Sequence, residues 1–147
     1  MDLNFYINKF SNLSVKITDG QKKPNKAIML LSVIDLIRCG YIKENQIPLD
    51  DTIEESFKRF WLMYVNEAVP SCWTPFWHLN KESFWHFKPK YSMEEVESLA
   101  KPGETASSGK MKRSIKYVFL DEDLFQLLKY NSTRSPFVEC LKKNYLI

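Results

Sequence analysis

The stretch QKKPNKAIMLLSVIDLI, residues 21–37, decides how this chain folds. A proline followed by an unbroken apolar run is typical of the first turn of a buried helix, because the missing proline N–H would be unpaired there in any case. We predict a central helix over residues 25–38, apolar on nearly all sides, which stops at Gly40. The chain of 147 residues is 44% hydrophobic, which is enough to build a core around such a helix.

The start of this helix has an unusual charge. Lys22, Lys23 and Lys26 crowd a helix end whose partial positive charge favours Asp or Glu. An anion bound by the free backbone N–H groups and these lysines would turn repulsion into attraction. Asn25 adds an amide that can hydrogen-bond a phosphate oxygen or a base. We predict a phosphate site here, with a solvated loop as the alternative for Lys22 and Lys23.

Helical signals surround the central segment. Amphipathic spacing predicts helices over residues 2–12 and 52–65, the second capped by Asp50 or Asp51. Ser92 with Glu95 fits the capping-box spacing of a small helix. Further capped helices are expected over residues 92–101, 121–130 and 132–147, the last with Ser135 as its cap and Pro136 in its first position.

Extended and irregular segments are fewer. Residues 17–23, ITDGQKK, are expected to form a loop, and residues 75–90 two short extended pieces joined by a polar turn. IKYVFL, residues 115–120, alternates and predicts a strand. Residues 102–114 are of low complexity and are predicted to be mobile. Since neither a repeat nor a linker divides the chain, we predict one domain over residues 1–147, α+β and helix-dominated, with a small antiparallel sheet.

Composition bounds the class of protein. The net charge of +3 is only mildly basic, so a nucleic-acid site must be a local patch. Cys39, Cys72 and Cys140 lie far apart in apolar surroundings and are expected to be reduced core thiols of a cytosolic protein. The N-terminus lacks a signal-peptide pattern, and the longest apolar run is too short for a bilayer. We expect a cytoplasmic protein without a membrane partner.

The residues that an enzyme requires are scarce. The two histidines, His78 and His86, fit no His-Asn-His arrangement, and no Glu-x-Lys or paired CxxC occurs. Cys72 and these histidines do not have zinc-ligand spacing, and the glycines are isolated. We expect no catalytic residue, metal or cofactor. The alternative for both histidines is that they are ordinary amphipathic side chains at a sheet surface.

A second candidate segment is SCWTPFWHL, residues 71–79. Thr74 and Pro75, flanked by tryptophans, form a rigid apolar corner with one hydroxyl, which can hold a soft and weakly hydrated group. Phe76 and Leu79 are expected to face the core. The residues of this segment that we assign to a binding site are Thr74, Pro75, Phe76, Trp77 and His78.

Together, KPNKAIMLLSVIDLI and TPFWHLNKESFWHF resemble the N-terminal sulfur-binding domain of type IV restriction endonucleases. That family begins its helix with [His/Asn]-[Lys/Arg]-x-x-Leu-Leu-Leu and later has Tyr-Pro-Phe-x-x-Leu before an aromatic strand. The helical tail, residues 121–146, also resembles the family's closing segment. The resemblance covers most of the chain, while the nuclease domain that usually accompanies this family is missing from it.

The resemblance implies binding of DNA in which sulfur replaces a non-bridging phosphate oxygen. It implies that Thr74, Pro75 and Phe76 form a shallow apolar cavity for the sulfur, and that Asn25 and Lys26 hold the modified phosphate. Thr74 replaces the family's tyrosine, which removes one aromatic wall. Sulfur is larger and less hydrated than oxygen, so moving it into an apolar pocket costs less desolvation.

Other cations are expected to add sequence-independent phosphate contacts. These candidates are Lys22, Lys23, Lys81, Lys88, Lys90 and the patch that contains Lys110, Lys112 and Arg113. A merely solvated loop is the alternative for that patch.

The function expected is recognition of a DNA backbone, plain or phosphorothioate, in a restriction or defence setting. The candidate partners are DNA and a separate nuclease subunit. One alternative is a protein–protein module that uses the aromatic segment 73–87. The other is a nuclease subunit whose active site has no recognised motif. Steep salt dependence would favour DNA binding over an apolar groove.

Overall fold

The architecture of the protein was obtained as a computed structural model, which describes residues 3–98 and 108–146. Helices dominate these residues, and two antiparallel sheets of two strands each accompany them. The predicted class, α+β with a small sheet component, is confirmed.

The central element is α2, Asn25–Arg38, in which 11 of the 14 residues are buried. Its all-round apolar sequence is matched by neighbours on several sides, since α3 (Asp51–Tyr64), α4 (Trp73–His78), α7 (Glu122–Lys129) and α8 (Asn131–Tyr145) all contact it. The helix ends at Arg38, Cys39 follows as its C-terminal cap, and Gly40 then takes a positive φ of 86°, which residues with a side chain rarely adopt. The predicted bounds of this helix are confirmed.

Two other helices also begin and end close to their predicted bounds. The first helix, α1, spans Leu3–Ser11, and its Phe10 packs against Phe84 and Phe137 in the core. Asp50, rather than Asp51, caps α3: its carboxylate accepts a 3.0 Å hydrogen bond from the Ile53 N–H.

A hairpin replaces the predicted loop over residues 17–23. Strand β1, Ile17–Thr18, pairs with β2, Gln21–Lys22, and Asp19 and Gly20 form the turn with φ of 53° and 77°. Positive φ at both central residues is typical of a tight hairpin turn, for which Asp-Gly is a favoured pair. The hairpin places the backbone oxygen of Lys16 2.9 Å from the amide nitrogen of Lys23.

The aromatic segment corrects another prediction. Residues 73–78 form α4 and residues 79–81 a 3-10 turn, and only Trp85–Pro89 is extended, as β3. Phe76 and Leu79 are three residues apart, which is a helical spacing rather than a strand alternation. The Trp85 indole N–H donates to the Phe76 carbonyl at 3.0 Å and fixes β3 beneath the helix. Strand β3 pairs with β4, Ile115–Leu120, as the alternation of IKYVFL predicts.

The later helices confirm some predictions and correct others. The small helix α5 spans Met93–Ser98, and the Ser92 hydroxyl accepts from the Glu95 N–H at 3.4 Å. Residues 108–114, predicted to be mobile, form helix α6 (Ser108–Ser114), whereas residues 102–107 lie outside the described residues. Helix α7 occupies its predicted position.

Helix α8 begins at Asn131, one turn before the predicted cap at Ser135, so Pro136 lies inside the helix. The buried Arg134 explains the earlier start. Its guanidinium donates to the carbonyls of Leu128 and Lys129 at the end of α7. Its backbone N–H donates to the Tyr130 carbonyl at 2.8 Å, which closes the first turn of α8.

The cysteines differ from the prediction at one position. Cys72 and Cys140 are buried, but Cys39 is exposed. Cys39 follows the last turn of α2, where the chain leaves the core at Gly40. Burial raises the pKa of the Cys72 thiol to about 12, which keeps it protonated at neutral pH.

Candidate nucleic-acid interface

A cleft of about 320 Å³ lies where the start of α2, the segment after α1 and helix α4 meet. Three stretches of chain contribute its lining, which consists of Ser14, Val15, Lys16, Lys23, Asn25, Lys26, Thr74, Pro75, His78 and Lys81. Four of these ten residues are lysines, and none of the described lining residues has a carboxylate. The cleft, called the basic cleft below, therefore suits an anion.

Lys26 braces the basic cleft. The residue is only 6% exposed, and its Nζ lies 2.6 Å from Glu82 Oε2 and donates to the Ser14 carbonyl at 2.6 Å. The same Glu82 oxygen accepts from the Ser14 N–H at 3.2 Å. One ammonium thus joins α2, the segment after α1 and the turn after α4. Glu82 balances the charge of Lys26, so this lysine holds the walls of the cleft together in addition to lining it.

The Thr74–Pro75 corner supplies the apolar wall that faces Lys26 and Asn25. Pro75 lies buried in the first turn of α4, and Thr74 is half-buried beside it. Proline fits there because it has no backbone N–H, and an N–H in the first turn would have no partner within the helix. Helix α4 packs on α2, which holds this corner against the helix start. The structure therefore brings together the two segments that the sequence analysis assigned to one site.

Two other predicted site residues of α4 lie away from the basic cleft. Phe76 is 1% exposed and meets Trp85 edge-on at 5.5 Å between ring centroids. Trp77 stacks on Phe87 at 4.9 Å and 18°. Both rings pack α4 against β3. In the described segment 73–87, the rings of Phe76, Phe84 and Trp85 are buried, and those of Trp73, Trp77 and Phe87 are half-buried.

His78, the last residue of α4, is exposed on the basic cleft. Partial burial lowers the pKa of His78 most, and the positive charges of Lys81, Lys26 and Lys16 lower it further. The imidazole is therefore neutral at pH 7. A neutral imidazole has one donor and one acceptor nitrogen.

The lysines at the start of α2 divide between two environments. Lys23 lines the basic cleft, whereas the Lys22 ammonium lies 5.3 Å from the centre of the Tyr145 ring. Sequence reasoning missed Lys16, which the hairpin turns back beside Lys23. The Asp-Gly pair at residues 19–20 is the signal that predicts such a turn.

The second predicted basic patch belongs to α6. Lys112 and Arg113 are exposed, and the Lys112 ammonium lies 3.7 Å from a carboxylate oxygen of Glu54. Among the described residues that line the basic cleft, none belongs to α6, so Lys110, Lys112 and Arg113 form a separate basic region.

Other site types find no support in the part of the chain that the structure describes. Residues 3–98 and 108–146 contain no group of three or more His, Cys, Asp or Glu side chains placed to hold a metal ion. None of their helices is both long and apolar enough to cross a membrane. His86, on β3, hydrogen-bonds Asp121 with 2.6 Å between Nε2 and Oδ1, and it is not among the described residues that line the basic cleft.

Comparison with known proteins identifies the architecture. No family model matches the sequence, and no curated protein matches it. This chain is similar in structure to the solved sulfur-binding domain of SprMcrA, which is complexed with phosphorothioated DNA. The superposition covers 100% of this chain and 87% of the SprMcrA chain, with a TM-score of 0.69. The chain has the fold of a sulfur-binding domain. The two sequences are only 16% identical, so this likeness establishes the fold, and the resemblance noted in the sequence is confirmed at that level.

Proposed function

We propose that this protein binds DNA and seats one backbone phosphate, plain or phosphorothioate, in the basic cleft. The observation that carries the proposal is the meeting of the α2 start with the Thr74–Pro75 corner across a cleft with four lysines. The shared fold supports it, because the SprMcrA domain is complexed with phosphorothioated DNA.

The negative charge of the phosphate would be held from the α2 side. The first turn of α2 contains no acidic residue, and Pro24 at its cap position offers no side-chain hydrogen bond to the helix. Backbone N–H groups in a first turn lack partners within the helix, so they are available to an anion. Asn25 adds its amide, and the exposed ammonium groups of Lys16, Lys23 and Lys81 add charge.

Selectivity for sulfur would come from the opposite wall. Pro75, Thr74 and Val15 present mostly carbon surface to the cleft. A sulfur atom loses less hydration than an oxygen when it packs against such a surface, and one well-packed group of this size contributes roughly 1–2 kcal/mol. We expect plain DNA to bind as well, because the phosphate contacts do not require sulfur.

The direct test measures affinity for three duplexes of one sequence, carrying phosphorothioate, methylated bases or no modification. We expect all three to bind, the phosphorothioate most tightly, with affinities that fall steeply as salt rises. Affinity that does not respond to salt, or no binding to any duplex, would overturn the proposal.

We place this DNA-binding activity in a restriction or defence setting, with cleavage performed by a separate nuclease subunit. The support is the fold shared with the SprMcrA domain. The purified chain should leave phosphorothioate plasmid intact in the presence of Mg²⁺. Cleavage that requires the metal would instead establish this chain as a nuclease.

A further inference from the structure

In the free protein the charges near His78 are mostly positive, and a bound anion would add negative charge beside it. In the free protein, ammonium groups face the imidazole from each neighbouring element: Lys16 from the segment after α1, Lys26 from α2 and Lys81 from the turn after α4. Lys23 lines the same cleft. The Glu82 carboxylate beside the cleft is already paired with Lys26 and accepts a hydrogen bond from the Ser14 N–H.

We propose that seating a DNA phosphate in the basic cleft is coupled to uptake of one proton by His78, whose imidazolium then pairs with the phosphate. This inference rests on the proposed function, because it concerns the same anion. The inference gives His78 a second role, since a neutral imidazole would only hydrogen-bond to the phosphate, whereas an imidazolium also pairs with its charge.

The physical reason is the balance of charge in a small volume. Without an anion, protonation of His78 is opposed first by its partial burial and then by the charges of Lys81, Lys26 and Lys16. A bound phosphate places negative charge in the cleft of about 320 Å³ that the imidazole lines. Nearby negative charge favours the protonated form. The pKa of His78 is therefore higher in the complex than in the free protein.

The direction of the pH effect follows from this difference. The complex binds more protons than the free protein, so DNA affinity rises as pH falls through the pKa of His78 in the complex. It levels off below the pKa of His78 in the free protein, which lies under the ordinary histidine value. Uptake of one proton limits the slope to about tenfold in Kd per pH unit.

The test is a pH series of DNA affinity at constant ionic strength, from about pH 8 to about pH 5, for the wild type and for His78→Gln. Glutamine keeps a polar side chain of similar size but does not titrate. We expect affinity to rise on the order of tenfold in the wild type and to stay nearly flat in the variant. The matched control is His86→Gln, at the only other histidine, which should keep the wild-type slope.

A second readout follows the imidazole itself. NMR titration of the His78 ring protons, with and without a short duplex, should show a higher midpoint in the complex. A slope that survives in His78→Gln, or a midpoint that DNA does not raise, would overturn the inference while leaving DNA binding in place. Absence of binding by the wild type at every pH would overturn the proposed function instead.

Discussion

The protein has two basic regions that look alike in sequence and differ in structure. The basic cleft draws its lysines from three separate stretches and sets them around a concave surface with an apolar wall. The patch on α6 carries Lys110, Lys112 and Arg113 within one seven-residue helix, where Lys112 approaches Glu54. The cations of α6 are neighbours in sequence, whereas the fold brings those of the cleft together, and we expect the cleft to be the better anion site.

The largest expected effect is on stability, and it distinguishes Lys26, which holds the cleft together, from Lys23, which only lines it. Lys26→Met should destabilise the fold by about 3–5 kcal/mol, because it leaves the Glu82 carboxylate, whose side chain is only 10% exposed, without its partner. The exposed Lys23→Met should change stability by less than about 0.5 kcal/mol. Urea unfolding measures both variants.

A double variant sharpens that result. Lys26→Met combined with Glu82→Gln should be more stable than Lys26→Met alone, because no uncompensated charge stays buried. If Lys26→Met is as stable as Lys23→Met, the ion pair does not brace the cleft.

The next effect compares the two basic regions directly. Lys23→Glu with Lys81→Glu should weaken DNA affinity on the order of 100-fold at low salt and reduce the salt slope, because two exposed cleft cations become anions. Fluorescence anisotropy with a labelled duplex measures the loss, and circular dichroism checks the fold.

The matched change on α6, Lys112→Glu with Arg113→Glu, alters the net charge of the protein by the same amount. We expect a loss of about tenfold or less, equal for phosphorothioate and plain DNA, because this region would supply only outer phosphate contacts. Equal losses for the two double variants would show that overall charge, rather than the cleft, determines affinity.

The smallest effect concerns the apolar wall. Pro75→Ala removes part of the surface proposed for sulfur and should lower the preference for phosphorothioate over plain DNA by about threefold to tenfold. Affinity for plain DNA should hardly change. If both duplexes lose affinity equally, the Thr74–Pro75 corner shapes α4 and does not select sulfur.

Local signals account for most of what the sequence predicted correctly. Pro24 and Gly40 mark the ends of α2, Asp50 caps α3, and the alternation of residues 115–120 indicates β4; each signal acts within a few residues. The hairpin at residues 17–22 was also within reach, because Asp19-Gly20 favours its turn.

The failures have two different causes. Phe76 and Leu79 follow a helical spacing, but the dense aromatic sequence around them suggested strands, so α4 was missed. The Lys26–Glu82 pair could not be inferred, because 56 residues separate its members and only the packed fold brings them together. The start of α2 and the Thr74–Pro75 corner were nevertheless assigned to one site, and in the structure they line the same cleft.

The bridge between Lys26 and Glu82 has a consequence for how this site changes during evolution. An uncharged residue at position 26 would leave the largely buried carboxylate of Glu82 without an ionic partner, and a neutral residue at position 82 would leave the buried ammonium of Lys26 without one. Viable descendants should therefore replace the two together or keep both. Among homologous sequences, positions 26 and 82 should co-vary more strongly than either does with exposed Lys23, even where the bound polymer itself has changed.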